Sequence, residues 1–216
     1  MVLFIGAIAA NVWYYTHERL SAVTIDAPGV VLLSPLEKFP NLNLIDHDRR
    51  LFNNSRLQGH WTLAVFGYTS CPDFCPTTLA DVEILFRRLE RSPGIKNGTQ
   101  FLFISVDPFR DTPEKLATYV KQFDSSFLGI TGEPEQLHQL ASQLGTFYEY
   151  VDPKTGIPID DTSRKPMVTD YVVDHYSGML VINPQEQLVA TITPPFDVDR
   201  LSRIYLELRS YAKGTS

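Results

Sequence analysis

The period of the apolar positions switches along the chain, and the switches mark its elements. WTLAVFGYT, residues 61–69, is an unbroken apolar run rich in aromatics, the pattern of a strand buried on both faces. From Thr77 the period lengthens: Leu79, Val82, Leu85, Phe86 and Leu89 recur at helical spacing until Pro93 and Gly94 stop the run. FLFISVD, 101–107, predicts a second buried strand, and Thr112 followed by Pro113 predicts a capped helix running to about Phe123. FLGIT reads as a short strand, and Glu133 to Thr146 as a helix with Pro134 near its start. MLVINP and QLVATI predict an antiparallel hairpin, and Val198 to Lys213 an amphipathic closing helix. Upstream, LNLIDHDRRLF predicts a hairpin turning at Asp46 to Arg50, and GVVLLSPL an edge strand within a polar, Pro-bearing stretch. Residues 147–171 are turn-rich and polar, an expected excursion from the core.

Strands alternating with helices predict an α/β domain with right-handed crossovers and a largely parallel central sheet, the hairpin adding antiparallel strands at one side. In open sheets of this kind, sites form at the carboxyl ends of the strands. Cys71 stands just there.

Composition narrows the function. The chain of 216 residues is 44% hydrophobic and 20% charged, enough to bury one sizeable core. A net charge of −6, with no basic stripe, argues against nucleic acid as a partner and against adhesion to an anionic membrane by charge.

MVLFIGAIAANVWYY carries no charge through Tyr15. As a helix it spans only ~22 Å, short of a ~30 Å hydrocarbon core. It reads first as a short uncleaved anchor with Trp13, Tyr14 and Tyr15 at the membrane interface. A cleaved signal peptide, with Ala7-Ile8-Ala9 as the cleavage motif, and a helix of the globular domain are the alternatives. The lack of basic residues before it points to a start further upstream. Residues 1–17 are therefore assigned to the anchor or signal-like segment, 18–35 to a tether and 36–213 to the globular domain. Either leading reading sends that domain into an oxidising compartment. The absence of an Arg- and Ser-rich transit peptide favours a bacterial envelope, with the domain in the periplasm.

Candidate chemistry centres on FGYTSCPDFCP, which holds both cysteines of the chain. Cys71 and Cys75 lie at i and i+4 where a strand turns into a helix, so a helical first turn places their Cβ atoms ~5–6 Å apart. That spacing admits a disulfide, a redox pair or two thiolates gripping one ion. A helix amino terminus lowers thiol pKa, and the thiolate is both nucleophile and ligand. Two thiolates alone rarely hold a metal selectively, so a third donor is sought among the histidines. His17, His47, His60 and His138 read as solvated or tolerated residues. His175, in VVDHYSGMLVI, is expected in a short polar loop directly before a core strand, with Asp174 beside it as a candidate orienting partner.

Three motifs in order, over about residues 40–210, resemble the Sco/SenC family of thioredoxin-fold copper proteins serving cytochrome c oxidase. FGYTSCPDFCP resembles its aromatic-Gly strand end followed by CPxxCP, SVDPFRDTPEKL its S-x-D-P-x-R-D-T-P element, and DHYSGMLVINP its Asp-His loop. The resemblance implies a thioredoxin-like fold, a central mixed sheet flanked by helices, with an N-terminal membrane helix. It implies Cys71, Cys75 and His175 as copper ligands, for Cu(I) or Cu(II). It also implies the CuA site of cytochrome c oxidase subunit II as recipient, with an upstream copper donor or thiol reductant as a further partner. Two soft thiolates and an imidazole suit copper, though such a set also accepts Zn(II). The same resemblance permits a thiol–disulfide oxidoreductase working through Cys71 and Cys75. Such reductases normally carry CxxC and a proline before the facing strand, whereas this chain has CxxxC and no proline from Asp174 to Met179. Asp107, Arg110 and Asp111 are read either as an Asp–Arg turn with a helix cap at Thr112 or as a docking or gating element.

Overall fold

The structure, a computed structural model, describes residues 27–159 and 170–214. The membrane-anchor assignment of residues 1–17, with His17, lies outside the described residues, as do residues 160–169 of the polar excursion. Among the described residues no helix is long and apolar enough to cross a membrane.

The architecture is an α/β fold with an eight-stranded mixed sheet between two layers. Its centre is β4 (Trp61–Gly67), paired in parallel with β5 (Thr99–Ser105), which pairs in parallel with β6 (Leu128–Thr131). The unbroken apolar runs have a simple cause: successive side chains enter opposite cores. Leu63, Val65, Phe101, Phe103, Met179 and Val181 face one core, while Ala64, Phe66, Leu102, Ile104, Leu180 and Ile182 face the other. The first core is covered by α1 (Phe74–Leu89), α3 (Pro113–Lys121) and α5 (Val198–Gly214), with the short α2 (Pro93–Lys96) between α1 and β5. On the second face lie α4 (Pro134–Gln143) and a ribbon of β7 (Tyr148–Val151) and β8 (Val172–His175).

Parallel pairing is confined to β4, β5 and β6, and antiparallel strands flank them on both sides rather than one. On one side stand β9 (Met179–Ile182), β10 (Gln187–Ile192) and the edge strand β1 (Val30–Lys38). On the other, β2 (Leu44–Asp46) pairs antiparallel with β6 and carries β3 (Leu51–Phe52) at the edge. Within these additions β9–β10 and β2–β3 are hairpins, whose tight turns force antiparallel neighbours. The sheet is therefore mixed, and β1 joins it from Val30, within the stretch assigned to the tether.

The excursion after α4 opens with real structure. Tyr148 and Tyr150 are buried while Glu149 points out, so β7 is a period-2 strand whose tyrosines close the second core. His47 is not a solvated turn residue either. It is buried, its Nδ1 accepting from the Gly129 N–H at 3.0 Å while its own N–H donates to the Gly129 carbonyl. His60 is exposed, and the His138 ring lies 5.9 Å from that of Tyr148.

Candidate metal centre

The site is built at the carboxyl end of β4, as the sheet topology predicts. Past Gly67 the chain turns tightly, the Cys71 N–H donating to the Tyr68 carbonyl at 3.2 Å. α1 begins at Phe74, so Cys75 occupies the first helical turn and Cys71 the loop before it. Pro76 is tolerated there because first-turn N–H groups have no intrahelical partner. One such orphan, the Cys75 N–H, donates to Cys71 Sγ at 3.4 Å.

Both cysteines are free, Cys75 buried and Cys71 half-buried. The Cys71 thiol is held well below its ordinary pKa, chiefly because the Cys75 thiol donates to it, with help from the backbone N–H groups of Cys75 and Asp73. Cys75 is pushed up by that same hydrogen bond and by burial. The pair therefore ionises first at the half-buried Cys71 rather than at the buried Cys75. Iodoacetamide is expected to modify Cys71 in the reduced protein and to leave Cys75 intact. An ordinary thiol loses roughly three orders of magnitude of thiolate between pH 8 and pH 5. Because a depressed pKa keeps Cys71 ionised as pH falls, its alkylation rate should change little over that range. Mass spectrometry of the peptide containing both cysteines reads out both points.

His175 arrives from 100 residues away. It ends strand β8, opposite Tyr148, rather than lying in a loop. The alternation buries Val173, exposes Asp174 and turns His175 inward again. Its Nε2 lies 3.8 Å from Cys75 Sγ. Its Nδ1 meets the Tyr176 carbonyl at 2.9 Å, and since a carbonyl only accepts, Nδ1 carries the proton and Nε2 faces the sulfurs. Asp174 does not orient His175: it pairs across the ribbon with Glu149, on the exposed face, and the backbone carbonyl of Tyr176 takes the role instead. The rings of Tyr68 and Phe74 stand edge-on to the imidazole at 6.0 and 6.3 Å.

Cys71, Cys75 and His175 thus meet at one point. Among the described residues no group of three or more His, Cys, Asp or Glu side chains stands in an arrangement that could hold a metal ion. Gly67 makes the close packing possible, because a Cβ there would lie 2.5 Å from Phe103 Cε2 and 2.8 Å from Cys75 Sγ. Gly67→Ala is expected to cost about 1–3 kcal/mol by overpacking and to displace Cys75, readable as a lower melting temperature with altered thiol reactivity.

Asp107 and Asp111 are buried, at 0% and 1% exposure, which removes them as docking groups. Asp107 pairs with Arg110, and Thr112 caps α3 by accepting from the Lys115 N–H. The turn-and-cap reading holds.

The family model for SCO1/SenC matches residues 36–210. The chain belongs to the SCO1/SenC family. A relative from Stutzerimonas stutzeri, described as a copper-binding protein, is 33% identical over 83% of this chain and 81% of its own length. The mitochondrial SCO1 homolog 1 of Arabidopsis thaliana is 31% identical over 79% of this chain but only 47% of its own length. The chain spans about half of such mitochondrial relatives. Among solved structures, Arabidopsis thaliana ScoI with copper bound superposes with a TM-score of 0.69 at 28% identity, covering 81% of this chain and 99% of that one. Its α/β fold, a central mixed sheet flanked by helices, is the one seen in this SCO1/SenC chain.

Proposed function

We propose that this SCO1/SenC chain is a copper metallochaperone holding one copper ion through Cys71, Cys75 and His175, for assembly of the CuA centre of cytochrome c oxidase subunit II. The observation that carries the reading is the approach of His175 Nε2 to 3.8 Å from Cys75 Sγ, beside a hydrogen-bonded Cys71, in a fold shared with a copper-bound Sco protein. Copper is cargo here. Two thiolates and an imidazole are soft donors that favour it over hard cations, and three protein ligands leave a position open for transfer. Oxidation of the Cys71 thiolate and the Cys75 thiol by a two-electron thiol oxidant such as a partner disulfide forms the Cys71–Cys75 disulfide, releases one proton and takes away both sulfur ligands, so the pair is ligand and switch together. The apolar N-terminal segment tethers the domain to the bacterial inner membrane with the site in the periplasm.

One observation favours a second reading, a thiol–disulfide oxidoreductase that keeps a copper-site partner reduced. A free, half-buried Cys71 whose sulfur accepts from the Cys75 N–H, beside a free, buried Cys75, is the pairing of nucleophile and resolving group. Cys71 would attack the partner's disulfide. Cys75 would then give its proton to the released partner sulfur and displace the other, leaving a Cys71–Cys75 disulfide, one partner thiol and one partner thiolate that takes its proton from solvent. The CxxxC spacing, and the absence of proline between Asp174 and Met179, weigh against general disulfide exchange.

Copper titration of the reduced protein separates the two. The chaperone reading expects one equivalent bound, with thiolate-to-copper charge transfer in the Cu(II) form. No stoichiometric binding, with rapid reduction of a partner disulfide instead, would put the oxidoreductase first.

A further inference from the structure

The two halves of the site sit on different parts of the chain, and one short turn touches both. After β5 the Val106 N–H donates to the Gly67 carbonyl, tying the turn to the end of β4. Residues 107–111 then make a single helical turn, the N–H groups of Arg110 and Asp111 both donating to the Asp107 carbonyl. Arg110 and Asp111 are adjacent and point to opposite halves.

Asp111 takes the cysteine half. Its Oδ2 accepts from the Thr69 N–H at 2.8 Å and from Ser105 Oγ at 2.7 Å, and its Oδ1 accepts from Thr69 Oγ1. Thr69 lies two residues before Cys71, so this carboxylate fixes the loop that presents the thiolate. Arg110 takes the histidine half. Its Nε donates to Asp107 Oδ2 and its Nη1 to the Tyr171 carbonyl at 2.8 Å, while the Tyr171 hydroxyl donates to Asp107 Oδ1 at 2.8 Å. The guanidinium lies 3.6 Å from the Tyr171 ring centroid and 5.6 Å from that of Tyr68. Tyr171 precedes β8, and the Tyr68 phenol is hydrogen-bonded to the backbone of Val173, in the middle of that strand. The ladder is therefore anchored at its start by Arg110 and at its middle by Tyr68, and His175 is its last residue.

We propose that the Asp107–Asp111 turn is the positioning device of the metal site, with Arg110 placing His175 and Asp111 placing the cysteine loop. The proposal rests on the three-ligand reading above and adds to it a division of labour. A planar fork suits Arg110, because it must reach a carboxylate and a backbone carbonyl at once while lying on a ring face.

The test uses the full chain with Arg110→Gln, Arg110→Lys, Tyr171→Phe and Asp111→Asn. Arg110→Gln should lower Cu(II) affinity by about tenfold or more and alter its EPR spectrum, as loss of a ligand's orienting contacts does elsewhere. Cu(I), held by the thiolates, should change by less than about threefold. Arg110→Lys restores the charge but not the fork, and should resemble Arg110→Gln in the EPR spectrum while melting closer to the wild type. Asp111→Asn should weaken both oxidation states together. A copper-free readout is independent of loading: in the reduced protein the His175 ring resonances should shift or broaden, and the Val173 amide should exchange faster, in the Arg110 variants but not in Asp111→Asn.

Should Arg110→Gln fail to fold, Tyr171→Phe still decides the matter, because it removes one hydrogen bond and keeps the ring; it should move the His175 resonances in the same direction. Unchanged His175 resonances in a folded Arg110→Gln or in Tyr171→Phe would overturn the proposal, as would equal loss of Cu(I) and Cu(II) in Arg110→Gln. Failure of the wild-type protein to bind copper would sink the chaperone reading instead, leaving the copper-free readout to judge the turn.

Discussion

Replacing either Cys71 or Cys75 by serine should abolish tight copper binding, with a loss of more than about a hundredfold in Cu(I) affinity. A serine hydroxyl stays protonated at neutral pH and is a hard, weak donor where copper(I) prefers soft thiolates. The two variants should differ in everything else. Cys71 is half-exposed, so Cys71→Ser changes little in the packing and should melt near the wild type. Cys75 is 2% exposed, packs in the core beneath β4 and is hydrogen-bonded to the Tyr68 backbone. Cys75→Ser places a hydroxyl in that apolar setting and should also cost about 1–3 kcal/mol of stability. Competition with a chromophoric Cu(I) chelator, together with thermal melts, reads both effects. Copper binding retained within tenfold in either variant would remove that sulfur from the ligand set.

His175→Ala should split the two oxidation states. Cu(I) accepts two sulfur ligands and should stay bound to Cys71 and Cys75. Cu(II) draws more from an imidazole nitrogen and should lose at least about tenfold in affinity, with a changed EPR spectrum and a shifted charge-transfer band. Nε2 of His175 lies 3.8 Å from Cys75 Sγ, with Nδ1 turned to the Tyr176 carbonyl, so Nε2 is the nitrogen placed to act as donor. The alanine variant also removes the ring between Tyr68 and Phe74, so a melt is needed to separate lost ligation from lost packing. An unchanged Cu(II) spectrum and affinity would mean that the third donor lies elsewhere.

The parts of this protein that were legible in the sequence are those dictated by local period. β4, β5 and α1 announce themselves because their side chains either enter two cores alternately or repeat along one helical face, while the grouping of Cys71, Cys75 and His175 comes from the family resemblance of three motifs and not from the local pattern. The parts that were hidden depend on pairing across the chain. Tyr148 and Tyr150 flank an outward Glu149, a period-2 signal that was masked by the polar residues following it. That β7 exists explains why His175 is a strand terminus: without a visible partner strand, VVDH looks like the approach to a loop. Without β7, Asp174 looks like a partner for His175, whereas strand alternation throws adjacent side chains to opposite faces. His47 has charged neighbours in sequence, but burial against Gly129 decides its environment. The contact of Asp111 with Thr69 spans 42 residues, and nothing in either local pattern foretells it.

X-ray absorption at the copper edge of the reduced protein, loaded with one equivalent of Cu(II), tests the central claim most directly. Ligation by Cys71, Cys75 and His175 predicts two sulfur scatterers and one imidazole around the ion, with both sulfurs lost from the shell in the double cysteine-to-serine variant. A shell of nitrogen and oxygen alone in the wild type would contradict the account, because copper would then be bound away from the point where the two cysteines and His175 meet.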